Sequence, residues 1–130
     1  RLGVGNDCFK NARSIKRILC PAENAFDKYD EIMAAVTENV AKDKLLIMAL
    51  GPTATVLAYD LAKLGYQALD MGHIDIEYEW WRMKAVGKAP VRGKYNNEAR
   101  IKGRQSSAVD GDLTEEEWNQ YESEIICKIQ

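Results

Sequence analysis

The residues with the most chemistry in this sequence stand together at Gly72-His73-Ile74-Asp75-Ile76-Glu77-Tyr78-Glu79. His73, Asp75 and Glu77 alternate with apolar residues, and His73 is the single histidine of the chain. While the backbone stays extended, the three side chains point to one side, because a strand has a period of two. One imidazole nitrogen and two carboxylates suit Mn²⁺ or Mg²⁺ better than a thiophilic metal. On this reading His73, Asp75 and Glu77 are the catalytic candidates. Asp75 and Glu77 are the metal ligands, and His73 is a third ligand or an orienting group. A second reading, left open by the sequence, makes Asp75 an N-cap, with Glu77 and Glu79 as first-turn acids facing a helix dipole.

Two glycine-containing loops are candidates for binding a nucleotide. In Arg1-Leu2-Gly3-Val4-Gly5-Asn6-Asp7 the glycines let backbone N–H groups approach a phosphate, and Arg1 can pair with its charge. Cys8 stands where the dinucleotide fingerprint needs a third glycine, and a tight turn is the competing reading. In Gly51-Pro52-Thr53 a helix N-terminus follows the apolar run Leu45–Leu50 and offers free N–H groups. An ordinary helix start with a well-placed proline is the alternative there. Trp80 and Trp81 are adjacent and cannot share one helix face, so one is core and the other is open to stack on a sugar or base. Between Lys88 and Arg104 there are six bases and one acid, Glu98. This reads as a solvated loop in which Arg92, Lys94, Arg100 or Lys102 can neutralise a diphosphate.

Alternating short elements must position these groups. Ile15–Cys20 reads as a strand ended by Pro21. Asn24 is placed to cap a helix carrying the stripe Phe26, Tyr29, Met33, Val36 and Val40. Leu45–Leu50 has the pattern of a strand buried on both faces. Pro52 suits a first helical position, Leu57, Leu61 and Leu64 line the face of that helix, and Gly65 suits its C′ end. Tyr66–Met71 is a third strand, and Ile76, Trp80 and Met83 mark another helix. The order βαβαβα implies a Rossmann-like, mostly parallel sheet with flanking helices, part of a larger α/β domain. The sequence divides into a Rossmann-like core (1–86), a basic loop (87–112) and a C-terminal helix (113–130). That last helix opens with the capping box Thr114-x-x-Glu117 and has Trp118, Tyr121, Ile125 and Ile129 on its inner face.

Composition excludes several classes. The 130 residues carry 18 bases and 20 acids, a formal charge of −2, which lacks the basic excess of a nucleic-acid binder. Apolar residues at 46% and charged ones at 29% describe a globular chain. Its longest apolar run, Leu45–Leu50, is far short of the roughly 20 residues of a membrane helix. Cys8, Cys20 and Cys127 are widely spaced and odd in number, which fits reduced thiols of a cytoplasmic protein better than disulfides.

Arg1-Leu-Gly-Val-Gly-Asn-Asp7, Ala25-Phe-Asp-Lys-Tyr-Asp-Glu31, Leu50-Gly-Pro-Thr-Ala-Thr55 and Gly72-His-Ile-Asp-Ile-Glu-Tyr-Glu-Trp80 together resemble the GT-D-type glycosyltransferases, first classed as a domain of unknown function in Gram-positive bacteria. The resemblance covers nearly all of residues 1–86. It implies a Rossmann-like fold, a UDP-sugar donor of the UDP-glucose type, and a divalent metal, Mn²⁺ or Mg²⁺, held by an Asp-x-Glu motif. It also implies transfer onto a glycan or glycoprotein acceptor, as in glycosylation of serine-rich adhesins or assembly of surface polysaccharide. With the two loops read above, the candidate nucleotide-sugar contacts are Arg1, Gly3, Gly5, Asn6, Asp7, Gly51, Pro52 and Thr53. Family members also carry an upstream Arg-aromatic-Gly-Asp-Gly-Glu segment that this sequence does not contain, so the chain is expected to be a C-terminal half. The metal motif is then either Asp75-Ile-Glu77 or the upstream acid pair. A homo-oligomer is left open, as are a Rossmann-type enzyme using NAD or S-adenosylmethionine and a non-catalytic binding module.

Overall fold

A computed structural model describes residues 1–94, 96–101, 104–106 and 113–130. In chain order the elements are β1 (Arg17–Leu19), a 3₁₀ turn (Ala25–Lys28), α1 (Tyr29–Asn39), β2 (Leu45–Met48), α2 (Pro52–Lys63), β3 (Gln67–Asp70), α3 (Ile74–Met83), β4 (Asn96–Ile101), β5 (Arg104–Ser106), α4 (Glu115–Ser123) and β6 (Ile125–Lys128). This is the expected mixed α/β class with short parallel strands. The chain forms two compact units, Ile15–Gly72 with Glu124–Gln130, and Arg1–Ser14 with His73–Ser123. They cut across a division at residues 86 and 112.

In the first unit β2 and β3 run parallel from Leu45↔Gln67 to Met48↔Asp70, and β1 pairs in parallel with β6. The core gathers Ala25, Ile32, Ala35, Val36, Leu57, Leu61, Tyr66 and Ile129, with Leu57 and Leu61 fully enclosed. Pro52 opens α2, and Gly65, at φ 91°, follows its last turn and donates to the Ala62 carbonyl at 2.9 Å, as the sequence implies. Cys8, Cys20 and Cys127 are free thiols, and burial pushes the Cys20 thiol up to about 11, where it stays protonated.

Four local expectations are corrected in this unit. Asn24 makes no side-chain cap; it adopts a left-handed conformation and starts a 3₁₀ turn. That turn has three residues per turn rather than 3.6, so it shifts the phase of the apolar stripe. Phe26 is therefore 57% exposed, and Ile32, Ala35 and Val36 point inward. Leu64 is 45% exposed because it sits at the C-cap, where the chain already leaves the helix. Leu45 is 50% exposed rather than doubly buried, since β2 pairs only with β3 among the described residues.

The C-terminal helix stops at Ser123, whose hydroxyl donates to the Gln120 carbonyl at 2.7 Å. Ile125–Lys128 becomes a strand instead, so Ile125 and Ile129 are not on a helix face. The edge of β1 imposes this. Arg17 N–H donates to Glu124 O and Ile129 N–H to Leu19 O, both at 2.8 Å, while the Arg17 guanidinium pairs with Glu124 at 2.7 Å.

In the second unit the expected capping box is present. Thr114 N–H donates to Glu117 Oε2 at 2.9 Å, and Glu117 N–H donates to Thr114 Oγ1 at 3.2 Å. A small core joins Ile76, Trp80 and Val91, and Trp80 Nε1 donates to the Ala89 carbonyl at 2.8 Å. The basic loop is not wholly a loop, because β4 and β5 pair antiparallel at Arg100↔Gln105 and Ile101↔Arg104. Asn96-Asn-Glu-Ala-Arg-Ile101 carries no apolar alternation that would announce a strand. Lys102 lies outside the described residues, as do Tyr95, Gly103 and residues 107–112.

The two faces of α2 should respond differently to truncation. Leu57→Ala opens a void in a closed core and should cost about 2–5 kcal/mol. Leu64→Ala should stay within about 0.5 kcal/mol, as an exposed substitution does. Urea unfolding of both variants checks this, and equal costs would restore Leu64 to the core face.

Candidate functional site

The chain enters α3 at Ile74, so the extended alternation of His73, Asp75 and Glu77 does not form. Residues two apart on a helix are turned about 200° from each other. Asp75 therefore faces inward at 4% exposure, while His73 and Glu77 lie on the surface. Asp75 is not the N-cap either. His73 holds that position without a side-chain cap bond, and Asp75 and Glu77 are first-turn acids.

Asp75 is instead the centre of a buried polar cluster. Lys94 Nζ lies 2.5 Å from Asp75 Oδ2 and 3.9 Å from Glu79 Oε1, and Lys94 is only 3% exposed. The Asn6 amide nitrogen donates to Asp75 Oδ1 at 2.8 Å and to Glu79 Oε1 at 2.6 Å. Its oxygen accepts the Cys8 N–H at 3.0 Å. Arg82 stands 3.6 Å from Glu79, so two cations face two carboxylates. Sequence reasoning assigned Lys94 to a diphosphate, but it is committed to Asp75. The signal that locates it is long range and has no local pattern.

These residues do not fit Mn²⁺ or Mg²⁺. A cation at Asp75 would meet the Lys94 ammonium, and Glu77 is on the other side of the helix. Among the described residues no three His, Cys, Asp or Glu side chains come together to hold a metal.

The Arg1–Asp7 loop is largely engaged within its own unit. Arg1 donates to the Gly93 carbonyl at 3.1 Å and lies 5.0 Å over the Trp118 ring. Gly3, at φ 73°, is required by packing, since a Cβ there would meet the Phe9 ring at 2.4 Å. A cleft of about 370 Å³ lies between Gly5, Val91, Arg82 and Arg92, but its charged rim is self-paired. Arg92 grips Glu117 at 3.0 and 3.2 Å and holds that carboxyl below the usual range. Tyr78 Oη donates to Asp7 at 2.7 Å, which keeps Asp7 ionised and raises the Tyr78 phenol. Trp80 is the core member of the tryptophan pair, and Trp81, 71% exposed, stacks on Tyr78 at 5.6 Å.

Gly51, Pro52 and Thr53 belong to the other unit. Gly51 adopts φ 54° and ψ −146°, a conformation open essentially to glycine alone. Ala54 N–H closes the first turn on the Gly51 carbonyl at 3.0 Å, and Thr53 is 6% exposed. The sequence reading missed Asp70. It ends β3 with Oδ2 accepting from Thr55 Oγ1 at 2.7 Å and Oδ1 accepting from Gly72 N–H at 3.0 Å. An acid at a strand end about 20 residues past a glycine turn was the available signal.

The buried pair makes a definite prediction. Lys94→Met leaves the Asp75 carboxylate enclosed and unpaired, and Asp75→Asn strands the ammonium; each should cost about 3–5 kcal/mol. The double variant should cost clearly less than the sum, as read in a double-mutant cycle by denaturant unfolding. Additive costs would show that the two side chains do not depend on each other.

Comparison with known proteins places this geometry. A model of the glycosyltransferase GT-D fold matches residues 1–99. The chain is 45% identical over 129 residues to a probable glycosyl transferase, Gly, of Streptococcus gordonii, covering 99% of this chain and 18% of that protein. It is 42% identical to the glycosyltransferase GlyD of Streptococcus pneumoniae, covering 99% of this chain and 15% of that one. All of it superposes, with a TM-score of 0.84 and 43% identity, on 45% of a Streptococcus sanguinis chain described as a new glycosyltransferase of domain of unknown function 1792. The chain thus spans under half of that solved chain and under a fifth of the curated relatives. With the fold matched over its full length and the family model over most of it, this chain belongs to the GT-D-fold glycosyltransferase family.

Proposed function

We propose that the protein carrying this chain transfers a glucose-type sugar from a UDP-sugar donor to a glycan or glycoprotein acceptor. The observation that carries the reading is the superposition of the whole chain on a glycosyltransferase. Transfer breaks the bond between the anomeric carbon and the diphosphate and forms one to an acceptor hydroxyl. Negative charge then grows on the leaving diphosphate. The positive dipole end of α2, beside the open space at Gly51, is suited to that charge. Mn²⁺ or Mg²⁺ belongs to this reading through ligands outside the described residues, such as the upstream acid pair that the family resemblance implies. No helix among the described residues is long and apolar enough to cross a membrane. The reading places the transfer in the cytoplasm, where free thiols persist.

Thermal melting of the complete protein tests it. A ligand at a hundred times its dissociation constant adds about 2.7 kcal/mol to the folded state. UDP-glucose and UDP should each raise the midpoint by several degrees, and NAD or S-adenosylmethionine should not. An equal response to NAD, or none to any nucleotide, would overturn the reading.

A further inference from the structure

β2, α2 and β3 form one βαβ unit, and the residues at the carboxyl ends of its strands are unusually well prepared for a ligand. Met48 and Asp70 are register partners, so Asp70 stands level with the last residue of β2. Its carboxylate is exposed, yet it is held in place by the Thr55 hydroxyl at 2.7 Å and the Gly72 N–H at 3.0 Å. A carboxylate oxygen can accept two hydrogen bonds, so one acceptor site on each oxygen remains for a ligand. Two parallel acceptors on a fixed carboxylate match the two O–H groups of a vicinal diol.

Thr53 gives an independent sign. It is 6% exposed, and its hydroxyl makes no hydrogen bond to another described residue. Thr53 is the second residue of α2, in the first turn where backbone N–H groups lack intrahelical partners. A buried hydroxyl left without a partner is unfavourable, and a ligand oxygen at that end would satisfy it. The space beside the loop is open, since a Cβ built on Gly51 or Gly72 meets no atom within 4 Å.

We propose that Asp70 binds the ribose diol of the donor nucleotide, with Thr55 as the positioning residue that aims its carboxylate. In doubly wound sheets an acid at this place, about 20 residues beyond the glycine turn, is where a ribose is held. The inference rests on the nucleotide-donor reading, and it adds a residue and a substrate feature to it. Discrimination against a ligand lacking the 2′-hydroxyl follows, because the carboxylate then keeps an unmet acceptor.

Calorimetric titration of the complete protein with UDP and 2′-deoxy-UDP tests it, on the wild type, Asp70→Asn and Thr55→Val. Losing a hydrogen bond to a charged group weakens binding about 10- to 100-fold. The wild type should prefer UDP over 2′-deoxy-UDP by about that factor, Asp70→Asn should erase the preference, and Thr55→Val should reduce it. Since both side chains are exposed, unchanged melting midpoints of the ligand-free variants will confirm that folding is intact. Tight UDP binding with the same preference in Asp70→Asn would overturn the ribose assignment and leave the donor reading standing. A loss confined to UDP-glucose, with UDP unaffected, would move Asp70 to the transferred sugar and overturn it equally. Failure of the wild type to bind either nucleotide would sink the donor reading, and the ribose assignment with it.

Discussion

A lysine ammonium enclosed at 3% exposure is affordable only with a carboxylate against it, and the unit built from Arg1–Ser14 and His73–Ser123 is organised around meeting that demand. Lys94 takes Asp75, Asn6 bridges Asp75 to Glu79, and Arg82 balances Glu79. Those contacts join three stretches far apart in the sequence: the N-terminal loop, α3, and the segment leading to β4. The cluster explains why Asp75 points inward from the first turn of α3, and why Asn6 is spent on side-chain contacts. A buried amide and ion pair of this kind resists substitution of any one member, because each change leaves another charge or donor unmet.

Local signals in the sequence carried the skeleton. Pro52 and Gly65 bracket α2, Thr114 and Glu117 close their box, and the adjacency of Trp80 and Trp81 required one of them to be exposed. Each of these rests on neighbours within a few residues, where propensity and periodicity act. The misses have long-range causes. Trp118, Tyr121, Ile125 and Ile129 fit a helical period, yet the edge of β1 draws Ile125–Lys128 into a strand. His73, Asp75 and Glu77 fit a strand period, yet α3 begins at Ile74 and Lys94 claims Asp75. A period of two and a first helical turn cannot be told apart over five residues when the deciding partner is 19 positions away.

The candidate site divides in the same way. That Gly51, Pro52 and Thr53 begin a helix was readable because a helix start after an apolar strand is a local pattern. Asp70 was overlooked because an acid at the end of a short strand also reads as an ordinary turn residue. The role proposed for it rests on the pairing of β2 with β3 and on the Thr55 hydroxyl that holds it. The chain belongs to the GT-D-fold family, and a nucleotide held at the carboxyl ends of its parallel strands is the use proposed for these groups.

The central claim is that Asp75 serves Lys94 and not a metal ion. Calorimetric Mn²⁺ titration of the complete protein tests it most directly, comparing the wild type with the paired variant Asp75→Asn/Lys94→Met. That variant removes both charges together and leaves neither one stranded. The account predicts the same Mn²⁺ affinity in both proteins, whatever its value. A loss of Mn²⁺ binding in the paired variant would contradict it and return Asp75 to the metal.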